Sequence, residues 1–131
     1  MREVSDGYIF TTFRDGDVIF YRDNYEKHCQ RHGVIRGEDG REAIQRALIY
    51  PYYITSYTEN SGKWNVGYIK KYRTILREIK TSRGKGVEYW EIILRRRPQT
   101  RRFKIATAYI AESLWGAIIN MRVEKLEYKR R

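Results

Sequence analysis

Aromatic and β-branched residues dominate two short segments near the N-terminus, residues 8–13 and 18–21. Such residues fit the pleated, half-buried surface of a strand. Between the two segments lies Asp15-Gly16, a dipeptide that tolerates the positive φ angles of a tight hairpin turn. The pattern therefore predicts an N-terminal β-hairpin over residues 8–21.

Two helices are predicted next, over residues 23–32 and 41–50. Each opens on an aspartate followed by a glutamate at the spacing of a capping box: Asp23 with Glu26, and Asp39 with Glu42. Gly33 suits the left-handed position after the first helix. Pro51 ends the second helix, because the residue before a proline disfavours helical geometry.

After Pro51 the apolar pattern becomes strand-like, and it predicts four strands at residues 54–58, 66–72, 87–94 and 103–110. Apolar residues return to helical spacing over residues 111–121. The element order predicts an α+β fold: an N-terminal hairpin and two helices, then a four-stranded antiparallel meander, then a C-terminal helix. Both first helices are expected on one face of the sheet, over a core that includes Ile44, Leu48, Ile54, Ile92, Leu94, Ile105 and Trp115.

The chain has 131 residues, the size of one domain spanning residues 1–131, and a formal net charge of +11. No apolar run is long enough for a bilayer, and a single cysteine excludes a disulfide framework. The first residues contain no long apolar segment of the kind found in signal peptides, so we do not expect secretion by that route. We therefore expect a cytoplasmic protein. Its positive field attracts phosphate polymers, anionic membranes or acidic proteins. Binding to a membrane surface would require an amphipathic helix with a basic face, and the sequence predicts none. Nucleic acid is therefore the favoured partner.

Both histidines of the chain, His28 and His32, lie on one face of the first predicted helix, with Arg31 beside them. These residues have three interpretations: polar groups that favourably meet the helix dipole, a zinc-binding pair, or acid–base groups that act on a phosphodiester. Zinc is the least favoured, because there is no third histidine and Cys29 lies off that face. We expect no metal and no cofactor.

A run of cations follows the third strand of the meander and contains no acid; its members are Arg95, Arg96, Arg97, Arg101, Arg102 and Lys104. It is either a solvated loop or a phosphate clamp. Tyr57 and Trp64 on the neighbouring strands are either core residues or platforms on which bases stack. On the last strand, Thr107 and Tyr109 have two interpretations: they are present because β-branched and aromatic residues favour strands, or their hydroxyls donate to a phosphate oxygen.

Three segments, taken in order, resemble the barnase–EndoU–colicin–RelE-like nuclease superfamily, and most closely its small phage- and mobile-element-borne branch. They are Arg31-His32, Ile49-Tyr50-Pro51-Tyr52-Tyr53-Ile54 and Ile105-Ala106-Thr107-Ala108-Tyr109. The resemblance covers about residues 20–110. It leaves the hairpin at 8–21 and the helix at 111–121 as additions to a nuclease-like core.

The resemblance implies a metal-independent ribonuclease, an activity that the family also uses in toxins. It places His32 and Arg31 on the catalytic helix, with Thr107 and Tyr109 on the last strand. His28 joins them by helical spacing, and Lys71 is a further cation suited to hold the phosphate. The 2′-hydroxyl of RNA would attack phosphorus, giving 2′,3′-cyclic phosphate ends, so DNA would be a poor substrate. Two alternatives stay open: a non-catalytic nucleic-acid-binding protein, and an interaction protein whose basic face docks on an acidic partner such as an antitoxin or inhibitor.

Overall fold

A computed structural model describes residues 1–58, 63–73, 87–96, 99, 102–111 and 125–130. Within these ranges two α-helices pack against an eight-stranded mixed sheet. The helices are α1 (Arg22–Arg31) and α2 (Gly37–Ile49), and a 3-10 turn, Gly33–Ile35, lies between them. The strands are β1 (Arg2–Val4), β2 (Gly7–Thr11), β3 (Asp17–Tyr21), β4 (Tyr53–Thr58), β5 (Trp64–Arg73), β6 (Val87–Arg96), β7 (Lys104–Ala111) and β8 (Lys125–Lys129). Neither described helix is long and apolar enough to cross a membrane.

The strands follow the spatial order β1-β2-β3-β7-β6-β5-β4-β8. Neighbouring strands run antiparallel throughout this order, with one exception. The exception is the contact between β3 and β7, which is parallel, with Ile19 opposite Lys104. That contact joins the N-terminal hairpin to the rest of the sheet.

The fold is α+β, but the predicted architecture of a four-stranded meander with a C-terminal helix is wrong. The four strands near the predicted positions form only the centre of a larger mixed sheet. The hairpin continues that sheet through β3, and β8 adds a strand at the other edge. Ala111, the first residue of the predicted C-terminal helix, is the last residue of β7, and residues 112–121 lie outside the described residues. Parallel pairing between segments far apart in sequence has no local signature, so periodicity could not reveal it.

The helix starts also differ from the prediction. The capping boxes are absent: α1 begins after Tyr21 and α2 after Arg36, and neither of these residues makes a side-chain cap hydrogen bond. The left-handed position is not Gly33 but Gly37, with a φ of 81°. α1 begins one residue earlier than predicted and α2 four residues earlier. The turn between them packs closely on α2, since a Cβ at Gly40 would collide with the backbone of Ile35.

The core lies between the helices and the face of the sheet that they cover. Six of the seven predicted core residues are buried there: Ile44, Leu48, Ile54, Ile92, Leu94 and Ile105. Trp115, the seventh, lies outside the described residues. Aromatic side chains that alternate along the strands fill the rest of the space, among them Phe10, Phe20 and Trp90. The predicted burial of the apolar faces is confirmed.

The β2–β3 loop, residues 12–16, connects distant parts of the sheet. The Phe13 amide donates to the Leu48 carbonyl at 2.8 Å, and the Tyr68 hydroxyl donates to Asp15 at 2.6 Å. Arg14 reaches Glu127 of β8 at 3.3 Å. Since β8 lies at the opposite edge of the strand order from the hairpin, these contacts require the sheet to curve around α2.

We expect Tyr68→Phe to lower the free energy of unfolding by about 1–2 kcal/mol, because the change leaves the Asp15 carboxylate without its hydroxyl donor. Urea denaturation followed by fluorescence measures the change. Tyr21→Phe is the matched control, since Tyr21 is 48% exposed. Equal losses in the two variants would contradict the role given to the Asp15 contact.

Candidate nucleic-acid interface

A groove of about 870 Å³ lies on the face of the sheet opposite α1 and α2, here called the outer face. Ile9 and Ile19 form its floor. Each of these residues is flanked along its strand by core residues, Tyr8 and Phe10 around the first and Val18 and Phe20 around the second. Because successive side chains of a strand point to opposite faces, the two isoleucines face away from the helices. The groove thus crosses the junction of β3 with β7.

Six cationic side chains line the groove: Arg2, Lys63, Arg95, Arg96, Arg102 and Lys104. Two acids also lie there, Asp6 and Asp17. Arg2 and Asp17 approach to 3.7 Å, but both side chains are more than half exposed, so water screens their attraction. The groove therefore has an excess of positive charge around an apolar floor, and such an arrangement concentrates anions.

Arg95 is the most firmly positioned of these cations. Its Nε donates to Oδ1 of Asn65 at 2.9 Å, and Asn65 is fully buried on the neighbouring strand. Beside it, the Arg96 guanidinium lies 5.4 Å from the centre of the Phe103 ring, which is within the range of a cation–π contact. Both contacts hold cationic groups in place before a ligand arrives, and this lowers the ordering cost of binding.

The structure brings together four of the predicted nucleic-acid-binding residues in the lining of this groove: Arg95, Arg96, Arg102 and Lys104. Arg97 and Arg101 lie outside the described residues. Tyr57 is half-buried on β4 and does not line the groove. Trp64 pairs with Arg96 in the register of β5 and β6, and for Trp64 the structure describes only that strand position.

The predicted helical site lies elsewhere. The His28 ring packs edge-on against Phe20, with ring centres 5.9 Å apart, and its Nδ1 lies 2.9 Å from the Asn24 carbonyl oxygen. His32 follows the last turn of α1 and its amide donates to the His28 carbonyl, while Arg31 is exposed. Phe20 belongs to the core, so this histidine cluster is on the helix side of the sheet.

Thr107 lies on the outer face, since it pairs with Ile93, which alternates with the core residues Ile92 and Leu94. Tyr109 pairs with Glu91, and Lys71 pairs with Tyr89; for Tyr109 and Lys71 the structure describes only these positions. The structure therefore does not bring the histidines and Thr107 into one site. Helical spacing determines which residues share a face of α1, but not which face of the sheet that helix covers.

Glu91 is a candidate that the sequence analysis missed. It is fully buried, and neither carboxylate oxygen has a hydrogen-bond partner among the described residues. Burial disfavours the charged form and raises the pKa of this carboxyl to about 9. Trp90 and Ile92 beside it belong to the core, so Glu91 is on the outer face, like Arg95 farther along the same strand. The available signal was a glutamate inside the apolar and aromatic stretch at residues 89–94.

In the described parts of the chain, no three histidine, cysteine, aspartate or glutamate side chains are grouped as metal ligands. Comparisons of the chain with protein-family models, curated proteins and solved structures find no match. The groove and the buried carboxyl are therefore interpreted from their own chemistry.

We expect the free energy of unfolding to fall as the pH rises from about 5 to about 9. In this window Glu91 keeps its proton in the folded state but loses it in the unfolded chain, whose carboxyl has an ordinary pKa. The slope from this group reaches at most about 1.4 kcal/mol per pH unit. Glu91→Gln should remove that slope, and Glu38→Gln, at an exposed position, should keep it. Denaturation curves at several pH values test this, and parallel profiles for Glu91→Gln and the wild type would contradict it.

Proposed function

We propose that the protein binds RNA along the groove of the outer face. The observation that supports this most is the convergence of six cationic side chains from distant parts of the chain on one groove. Four of the six belong to the cationic run at residues 95–104, whereas Arg2 comes from the first strand and Lys63 precedes β5. A solvated charge run would be local in sequence, so it is the addition of Arg2 and Lys63 by the fold that favours a binding surface. Like charges gathered in this way repel one another unless a polyanion neutralises them.

The groove suits phosphate groups in particular. Arginine presents several N–H donors in a fixed plane and can grip two phosphate oxygens at once. Arg95 is already held by Asn65, and Lys104 pairs with Arg95 in the register of β6 and β7. Such contacts fix the position of the nucleic-acid backbone without reading its sequence. The choice of RNA over DNA rests on the nuclease resemblance of the three sequence segments.

We expect the affinity for RNA to fall steeply with salt, with a slope of about 0.7 per phosphate contacted on a single strand. The double change Arg95→Gln with Arg102→Gln should make that slope shallower and weaken binding about equally for different sequences. Lys27→Gln with Arg36→Gln removes the same charge from two exposed positions that do not line the groove, and is the matched control. Fluorescence anisotropy at several salt concentrations measures both. If both double variants lose the same affinity, total charge rather than the groove determines binding.

Cleavage of the bound RNA is the second candidate function, and Glu91 favours it. At neutral pH its raised pKa leaves this carboxyl protonated, on the outer face and on the same strand as Arg95. Glu91 is buried and does not line the groove, so it can donate that proton only if RNA binding uncovers it. Attack of the 2′-hydroxyl on phosphorus forms a charged phosphorane that Arg95 and the Thr107 hydroxyl are suited to stabilise. The 2′-hydroxyl must give up its proton to a base, and the leaving 5′-oxygen must receive one from an acid. In the sequence-based interpretation, His28 and His32 move the protons.

The test of cleavage is incubation with a mixed-sequence RNA, with and without EDTA, followed by analysis of the fragment ends. We expect 2′,3′-cyclic phosphate ends and no effect of EDTA. Glu91→Gln should lower the cleavage rate by about 10²- to 10⁴-fold if the outer face carries the chemistry, while His32→Ala should not. The reverse pattern would assign the chemistry to α1.

The same assay separates the remaining alternatives. RNA that is bound but left intact would mean a binding protein without catalysis. No affinity for RNA, together with a specific acidic protein partner retained at high salt, would contradict the proposed function and favour the interaction protein.

A further inference from the structure

We infer that the groove takes single-stranded RNA in preference to duplex, with Tyr21 as the platform on which a base stacks. This inference rests on the proposed function, because it concerns the same groove. It follows from the division of the groove into an apolar floor and cationic walls.

The floor consists of Ile9 and Ile19, both partly exposed, and Tyr21 lies at the end of β3 beside them. Phosphates gain nothing from contact with such a surface, since an apolar surface offers them no hydrogen-bond donor. Base faces do gain, because burying apolar and aromatic area is favourable. In a duplex the bases are stacked inside and phosphates lie outside, so a duplex would use the walls and leave the floor uncovered.

Tyr21 is a large aromatic residue that the core does not use. It is 48% exposed, whereas Phe20, its neighbour in the strand, is fully buried. An exposed tyrosine among cations is the combination by which proteins bind unpaired nucleotides, since bases stack on the ring while cations meet the phosphates. Lys104 lines the same groove and pairs with Ile19, two residues before Tyr21 on β3.

The backbone on both sides of Tyr21 is closely constrained. Gly7 is its partner in the register of β2 and β3 and presents no side chain beside it. Gly7 has a φ of 151°, and a Cβ there would collide with the Phe20 carbonyl oxygen, so the two strands approach closely at this point. The next residue, Arg22, donates its amide to the Asp6 carbonyl at 2.9 Å and ties the end of β3 to the start of β2.

The test measures binding of a short RNA of mixed sequence, alone and annealed to its complement, at one salt concentration. We expect the wild type to bind the unpaired strand more tightly. Tyr21→Ala should weaken binding of the unpaired strand by about 5- to 100-fold, the usual effect of losing one stacked base, and leave duplex binding unchanged. Tyr21→Phe should retain the wild-type affinity. Tyr50→Ala is the matched control, since Tyr50 is 58% exposed and does not line the groove.

Equal affinity for the two forms, or equal losses in Tyr21→Ala and Tyr50→Ala, would overturn the inference. The Arg95→Gln with Arg102→Gln double variant keeps this outcome separate from failure of the proposed function. If that variant weakens binding of both RNA forms equally while Tyr21→Ala changes neither, the groove binds RNA through its phosphates alone. If neither RNA form binds the wild type, the proposed function itself fails.

Discussion

The parallel contact between β3 and β7 is the constraint on which the rest of the structure depends. It joins the N-terminal hairpin to the meander through the pairing of Ile19 with Lys104. The Asn24 side-chain amide reinforces the junction from α1, donating to the carbonyls of Ile105 at 3.2 Å and Ala106 at 3.0 Å. Those carbonyls lie where β7 changes register against β6, so the helix supplies a donor at an irregular point of the sheet.

On the strands that meet at the junction, one face of the sheet packs against the helices and the other lines the groove. On β3, Val18 and Phe20 complete the core, while Ile19 and Tyr21 face the groove. The same alternation along β6 buries Trp90 and Ile92 against the helices and places a glutamate on the outer face. A buried carboxyl without a partner is costly, and groups of this kind are found more often at functional sites than elsewhere.

What could be predicted from the sequence was local. The Asp15-Gly16 signal located the hairpin, and apolar patterns located strands and core residues such as Leu94 within a few positions. What could not be predicted depends on contacts between distant segments: the β3–β7 junction, the edge strand β8 and the side of the sheet that α1 covers. The capping boxes also failed: neither helix has a side-chain cap hydrogen bond, because a capping motif is only a weak local preference. Glu91 was overlooked because an alternating strand pattern does not show how deeply a position is buried.

The closing contacts of the β2–β3 loop have a consequence for the order of folding. Arg14 and Glu127 are separated by 113 positions in the chain, so the curved sheet cannot close until nearly all the described segments have been synthesised. The antiparallel strands between them can pair earlier, since their contacts are much closer in sequence. Contacts over long sequence separations carry a large loop-closure entropy and slow folding. The hairpin, although it is made first, is thus fixed in its final place among the last elements.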